Sequence, residues 1–221
     1  MFESDTGYPR AVASSGGDGL QAAVNWVWAR LGDGQTLMLF IATKKQIDRD
    51  PPLRRLASSP RVEVSTPRDY GHAANRGPAL AVWARMDDLG TILARLPGIT
   101  ALSVAAWDED RLRPWVAFAK PEILTGASTW AADSGAYGLE PAVEEAMRRA
   151  TRAVNHNNAI TGGDEKETVL RELLVLHRAG HRLDGPTLQG WALANGWRGD
   201  NPKQLASYAD QITGGKTPRI R

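Results

Sequence analysis

The chain has 221 residues, 42% of them hydrophobic and 24% charged, and a formal net charge of only +2. This composition belongs to a globular chain with a real core, and it excludes a global basic field that would draw the whole surface onto nucleic acid. No cysteine is present, which removes disulfides, thiolate zinc sites, iron–sulfur clusters and thiol catalysis.

Residues 1–15 read as a flexible lead-in with a short strand at "RAVAS", and "MFESD" begins acidic without the apolar stretch of a signal peptide. "GLQAAVNWVWARLGDG" spaces Leu20, Ala23, Val24, Val27, Trp28 and Leu31 at helical intervals, with Gly32 expected just past the helix end. "TLMLFIAT" is a continuous apolar run, the form of a strand covered on both faces and too short to span a bilayer. A Pro-led helix at "PPLRRLASS" precedes a strand at "RVEVS". Then come a strand at "PALAVWA", a helix at "MDDLGTILARLPG", a strand at "ITALSVAAW" and an acidic-led helical stretch, "DEDRLRPWVAFAKPEIL". This alternation implies an α/β domain over 16–124, a Rossmann-like layering with a mostly parallel sheet and right-handed crossovers; strand order is not legible.

Small residues and turn formers over 125–138, "TGASTWAADSGAYG", mark a linker, with Trp130 expected to pin the two parts together. Strand signals stop there, and 139–221 reads as a small all-α domain. "LEPAVEEAMRRATRAVNHN" carries Pro141 near its start. The next helix has Asp164 as expected N-cap, Glu167 three residues on, and Gly180 at its stop. "DGPTLQGWALANG" and "NPKQLASYADQI" complete four helices. Of the eight tryptophans, Trp26, Trp28, Trp83, Trp107, Trp115, Trp191 and Trp197 sit beside apolar residues, and most of them are expected in cores or between domains.

The last pair of helices, "GWALANGWRGDNPKQLASYADQI", has the parts of a DNA-reading motif. Leu188, Trp191 and Ala192 form an inward stripe, Gly196 ends the first helix, and Trp197 plugs the core beneath the turn. Asn201 is expected to cap the second helix and Pro202 to open it; Leu205, Tyr208 or Ala209, and Ile212 face inward. Lys203, Gln204, Ser207 and Gln211 are left outward. The segment resembles generic helix-turn-helix DNA-binding domains, over about a quarter of the chain, and no family is identified over the whole of it. The resemblance implies that Lys203 and Gln204 meet the major groove and that Arg198 and Ser207 meet phosphate. The tail "TGGKTPRIR" adds Lys216, Arg219 and Arg221 as a basic arm. The turn is longer than the tightest versions, Asn195 stands where an apolar residue is usual, and Asp200 and Asp210 dilute the positive charge.

In the α/β half, ligands of open parallel sheets bind beyond the carboxyl ends of the strands. The loops starting at Thr43, Thr66, Arg85 and Trp107 bring Lys44, Lys45, Arg68, Asp69, His72, Asn75, Arg76, Asp87, Asp88 and Asp108 toward one edge. Lys44, Arg68 and Arg76 could hold an anion beside His72 as general acid or base. Asp87, Asp88 and Asp108 are read as helix-start residues and not as a magnesium site. "SGGDG" at 15–19 lacks the dinucleotide spacing, "GGKT" at 214–217 lacks the preceding strand of a P-loop, and Gly180 separates His177 from His181.

The expectation is a DNA-binding or DNA-associated regulatory protein of the cytoplasm, whose α/β domain senses a small anionic ligand or mediates homo-oligomerisation. The expected partner is double-stranded DNA, with no membrane, cofactor, metal or assigned catalytic residue. Two alternatives stand beside it. One is a non-enzymatic interaction scaffold; the other is an enzyme acting on a phosphate-bearing or other anionic substrate at the α/β loops.

Overall fold

The structure, a computed structural model, describes residues 7–14, 16–69, 77–96, 98–131, 134–154, 159–216 and 218. Among the described residues, one six-stranded, all-parallel sheet is built from β1 (Arg10–Ala13), β2 (Leu37–Ile41), β3 (Val62–Ser65), β4 (Pro78–Ala84), β5 (Ala101–Ala106) and β6 (Glu122–Ile123), in the order β3-β2-β4-β5-β1-β6. α1 (Gly19–Trp28) follows β1, α2 (Lys45–Arg49) and α3 (Pro51–Ala57) follow β2, α4 (Met86–Arg95) follows β4, and α5 (Glu109–Ala119) follows β5. After β6 come α6 (Ala127–Ala131), a 3-10 turn at Ser134–Tyr137, α7 (Pro141–Ala153), α8 (Gly163–Arg178), α9 (Gly185–Ala194) and α10 (Asn201–Thr213). The fold is α/β, with an all-helical region following in the chain. No helix among the described residues is long and apolar enough to cross a membrane.

The chain divides into two compact units. Residues 7–112 and 120–132 make the α/β unit; 113–119 and 133–221 make the helical one.

In the α/β unit, β2 and β5 are buried along their whole length, as a doubly covered strand requires. One layer packs Ala23, Trp26 and Val27 of α1 and Leu53 and Leu56 of α3 against Ala11, Ala13, Leu37, Leu39, Ile41, Leu80 and Val82 of the strands. The chain moves from β1 to β2 to β3 in one direction along the sheet and from β4 to β5 in the other. Right-handed crossovers therefore put α4 on the opposite face from α1 and α3. α4 buries Leu89, Ile92 and Leu93 there.

Several local expectations are corrected. The stretch expected as helical through residue 124 ends at Ala119 and gives β6, which pairs with β1 and not with β5. Gly32 does not end α1, whose last turn closes at Ala29; the Gly32 N–H instead donates to Gln35 Oε1 at 2.9 Å. Within 125–132, α6 belongs to the α/β unit, and the Trp130 indole donates to the Thr125 carbonyl at 3.0 Å. α8 begins one residue early, at Gly163, with Gly162 at its N-cap and no side-chain cap. Asp164 and Glu167 therefore form no capping box.

The helical unit has its own core of Val143, Met147, Val169, Leu170, Leu173, Leu188, Trp191, Trp197, Leu205, Tyr208 and Ile212. Nine of the ten residues of α9 are buried, which makes it the hub. Its Gly190 explains part of this. A Cβ there would stand 2.5 Å from the backbone carbonyl carbon of Pro114, so only glycine lets α9 and the 113–119 segment approach so closely. Across the surface of this unit, the Arg149 guanidinium grips the Glu172 carboxylate of α8 through two nitrogens, at 2.8 and 3.3 Å.

Candidate functional site

Strands β2 and β4 are neighbours, yet their connections leave toward opposite edges of the sheet, to β3 and to β5. This is a topological switch point, where the diverging chains open a crevice at the carboxyl ends. A cavity of about 420 Å³ sits there, lined by Gln46 after β2, Trp83, Ala84 and Arg85 at the end of β4, and Trp107, Asp108 and Arg111 after β5.

Trp83 is held in a rare conformation. Its φ is +55°, and the register slips at this point: Val82 pairs with Ala105 while Ala84 already pairs with Ala106. Trp83 is thus the extra residue of a β-bulge. Instead of alternating to the face opposite Val82, its ring packs with the α1–α3 layer. A left-handed backbone at a bulky residue costs roughly 1–3 kcal/mol and clusters at ligand sites and active sites. The bulge brings the Trp83 indole into a T-shaped pairing with Trp107, with ring centroids 5.8 Å apart and planes at 82°. Trp107 itself is 67% exposed, unlike most of the tryptophans, which are expected in cores or between domains. Leaving a side chain of this size in water forgoes roughly 1.5–3 kcal/mol of burial.

Two guanidiniums flank the aromatic pair. Arg85 precedes α4, and Asp88 Oδ2 accepts both its backbone N–H at 2.9 Å and its Nε–H at 3.2 Å. The hydrogen bond to Asp88, and the charge attraction behind it, hold the Arg85 proton more firmly than usual. Arg111 Nε lies 2.9 Å from Asp108 Oδ2. Each arginine is engaged through Nε, so among the described residues the terminal nitrogens are available to a ligand. Asp88 and Asp108 thus have structural partners, and the described residues hold no acidic or histidine cluster suited to a metal ion.

The expected ligand set is only partly gathered. Lys44 follows β2, and its ammonium lies 3.8 Å from Asp69 Oδ1, beyond the neighbouring strand β3. Arg68 is exposed in that same turn. Asp69 Oδ2 accepts the Thr66 N–H at 2.6 Å; this bond leads in pulling its pKa below the ordinary carboxylate value, and Lys44 and Arg95 add to it. Arg95 of α4 fixes the turn by donating to the carbonyls of Thr66 and Pro67, each at 2.8 Å. His72 and Arg76 lie outside the described residues. Sequence reasoning missed Trp83, Arg85, Trp107, Arg111 and Gln46. The available clue was the repeat of one arrangement: "AVWAR" and "AAWDEDR" both place a tryptophan at or just past the carboxyl end of a strand and an arginine two to four residues on.

In the helical unit, α9, the turn 195–200 and α10 adopt the expected order. Gly196 has φ +85° and lets the chain leave α9, and Trp197 is 2% exposed with its indole donating to Thr151 Oγ1 at 2.8 Å. Asn201 does not cap α10. It is the buried first residue of that helix, and its Oδ1 accepts the Ile160 N–H at 3.0 Å. One face down, the Tyr208 hydroxyl donates to the Ile160 carbonyl at 2.8 Å. Burial pushes the Tyr208 phenol up, with a hydrogen bond from Gln204 opposing it. Of the proposed DNA contacts, Lys203 and Lys216 are exposed, while Arg198 is half-buried. Gln204 serves Tyr208, and Ser207 accepts from Gln211 Nε2 at 3.0 Å. Arg219 and Arg221 lie outside the described residues.

Residues 139–221, spanning α7 to α10, are similar to a family described as a domain of unknown function (DUF1889). No curated protein and no solved structure matches the chain.

Proposed function

We propose that this is a ligand-sensing regulatory protein, whose α/β unit binds a small anionic molecule at the carboxyl edge of its sheet. One observation carries the reading: the strained bulge that turns Trp83 toward an exposed Trp107 between Arg85 and Arg111. Strain, exposed aromatic surface and two guanidiniums with open terminal nitrogens each work against stability or gain nothing from the fold. Their convergence on a switch-point cavity is what a binding site requires. Arg68, exposed in the turn after β3, adds a cation further along the same edge, where Lys44 is paired with Asp69. A thermal-shift screen of the intact chain against small anions and their neutral analogues tests this. An anionic compound should raise the melting temperature, and an Arg85→Gln, Arg111→Gln double variant should abolish the rise. A uniform lack of response to anions at millimolar concentration would end the reading.

A second reading concerns the helical unit, which we propose contacts duplex DNA through α10. The specific support is the turn, with Gly196 left-handed and Trp197 buried beneath it, and Lys203 exposed on the first turn of the following helix. Arg198, Gln204, Ser207 and Lys216 would complete the contact, with Arg219 and Arg221 in the arm. Fluorescence anisotropy of a mixed-sequence duplex with the full chain should show salt-sensitive binding that Lys203→Ala weakens. No binding at low salt would remove this reading and leave the first intact. The cysteine-free composition suits a reducing compartment, and the cytoplasm is the proposed location.

A further inference from the structure

The geometry points to a ligand class for this cavity: a flat aromatic ring carrying a single anionic group, phosphate or carboxylate, with the ring stacked on Trp107 and the anion forked by Arg85 and Arg111. This inference rests on the anion-binding reading above and narrows it.

The ring comes from the tryptophans. Trp107 makes a T-shaped contact with Trp83, lines the cavity and is two-thirds exposed, which leaves indole surface for a ligand. Two indoles at 82° form a corner. A planar ligand lying on one meets the other edge-on, and both arrangements are favoured by the ring quadrupole. Purely aliphatic ligands would gain nothing from that orientation. The cavity, about 420 Å³, falls within the usual range for small-molecule sites and has room for a ring with a charged arm.

The limit to one anionic group comes from the local balance of ions. Arg85 is matched by Asp88 and Arg111 by Asp108, and Lys44 by Asp69 beyond β3. The lining therefore has no excess positive field to hold a polyphosphate. What it offers is direction: planar guanidiniums whose terminal N–H groups match the oxygens of one phosphate or carboxylate. Asp108, itself on the lining, would repel a second or third phosphate.

The test is isothermal calorimetry on the intact chain with adenosine monophosphate, adenosine triphosphate, adenosine, inorganic phosphate and indole-3-acetate. Adenosine monophosphate or indole-3-acetate should bind at least ten-fold tighter than adenosine or phosphate. Adenosine triphosphate should bind no tighter than the monophosphate. Trp107→Ala and Arg111→Gln, both exposed positions, should each weaken that binding ten-fold or more without moving the melting temperature by more than about 2 °C. Inorganic phosphate binding as tightly as the ring compounds would overturn this inference and leave the anion site standing. Adenosine binding as tightly as its monophosphate would overturn both the arginine fork and the anion reading. Heats below detection for all five compounds would remove the site altogether.

Discussion

Trp197 and Trp107 each stand just past the end of a regular element, and the protein uses them in opposite ways. Trp197 is sealed in the helical core with its N–H satisfied by Thr151; Trp107 lies open at the sheet edge against a neighbour in a strained conformation. The contrast extends to the polar groups around them. In the helical unit, Asn201 and Tyr208 turn inward to satisfy both backbone groups of Ile160, and Ser207 and Gln211 pair with each other. At the sheet edge, Arg85 and Arg111 bond to their neighbouring aspartates through Nε, and both side chains are largely exposed. A polar group whose hydrogen bonds close within the fold contributes to specificity of folding, while one left open is available for recognition.

Substitutions can break this comparison. The largest effect is expected from Trp197→Ala, which should cost about 3–5 kcal/mol in urea denaturation followed by circular dichroism. A loss below about 1 kcal/mol would mean that the residue is no core plug. Gly190→Ala comes next: a methyl group against the Pro114 backbone should destabilise the helical unit by about 2–3 kcal/mol, whereas an unhindered helical glycine would gain from the same change.

Smaller effects sharpen the sheet side. The Ser103 hydroxyl is fully buried in β5 with no hydrogen-bond partner among the described residues, so Ser103→Ala should raise stability, by about 1 kcal/mol; a loss would reveal a partner for the hydroxyl. Asp69 has a lowered pKa in the fold, so its contribution is present above the ordinary carboxylate pKa and is lost as pH falls through the lowered folded value. The difference in melting temperature between the wild type and Asp69→Asn should accordingly be seen at pH 6 and shrink as pH falls below the ordinary carboxylate pKa. An unchanged difference across that range would place its origin elsewhere. The smallest effect on stability is expected from Trp107→Ala, within about 0.5 kcal/mol, since little of its surface is removed from water. A large loss there would make the exposed indole part of the core after all.

Much of the fold was legible because its causes are local. The unbroken apolar run at 37–41, the alternation at 62–65 and the helical spacing of Leu89, Ile92 and Leu93 each carry their own period. The carboxyl edge could be anticipated as the place for a ligand, since parallel strands present their loops there. The residues that line it could not. Trp83 and Trp107 have the same apolar neighbours as the buried tryptophans, and only a bulge between β4 and β5 separates their fates. Likewise Asn201 has every local qualification of a cap, yet the unpaired backbone of Ile160, 41 residues away, claims its side chain.

By itself, then, the sequence determined the α/β class, the parallel sense of the sheet and the helical character of residues 139–221, because hydrophobic period and the spacing of turn residues act over a few neighbours. Tertiary structure decided that β1 inserts between β5 and β6, that α9 is enclosed on all sides, and that one tryptophan of eight stands open beside two arginines. Those outcomes depend on which distant segments compete for the same space and the same hydrogen bonds, a competition that no local window contains.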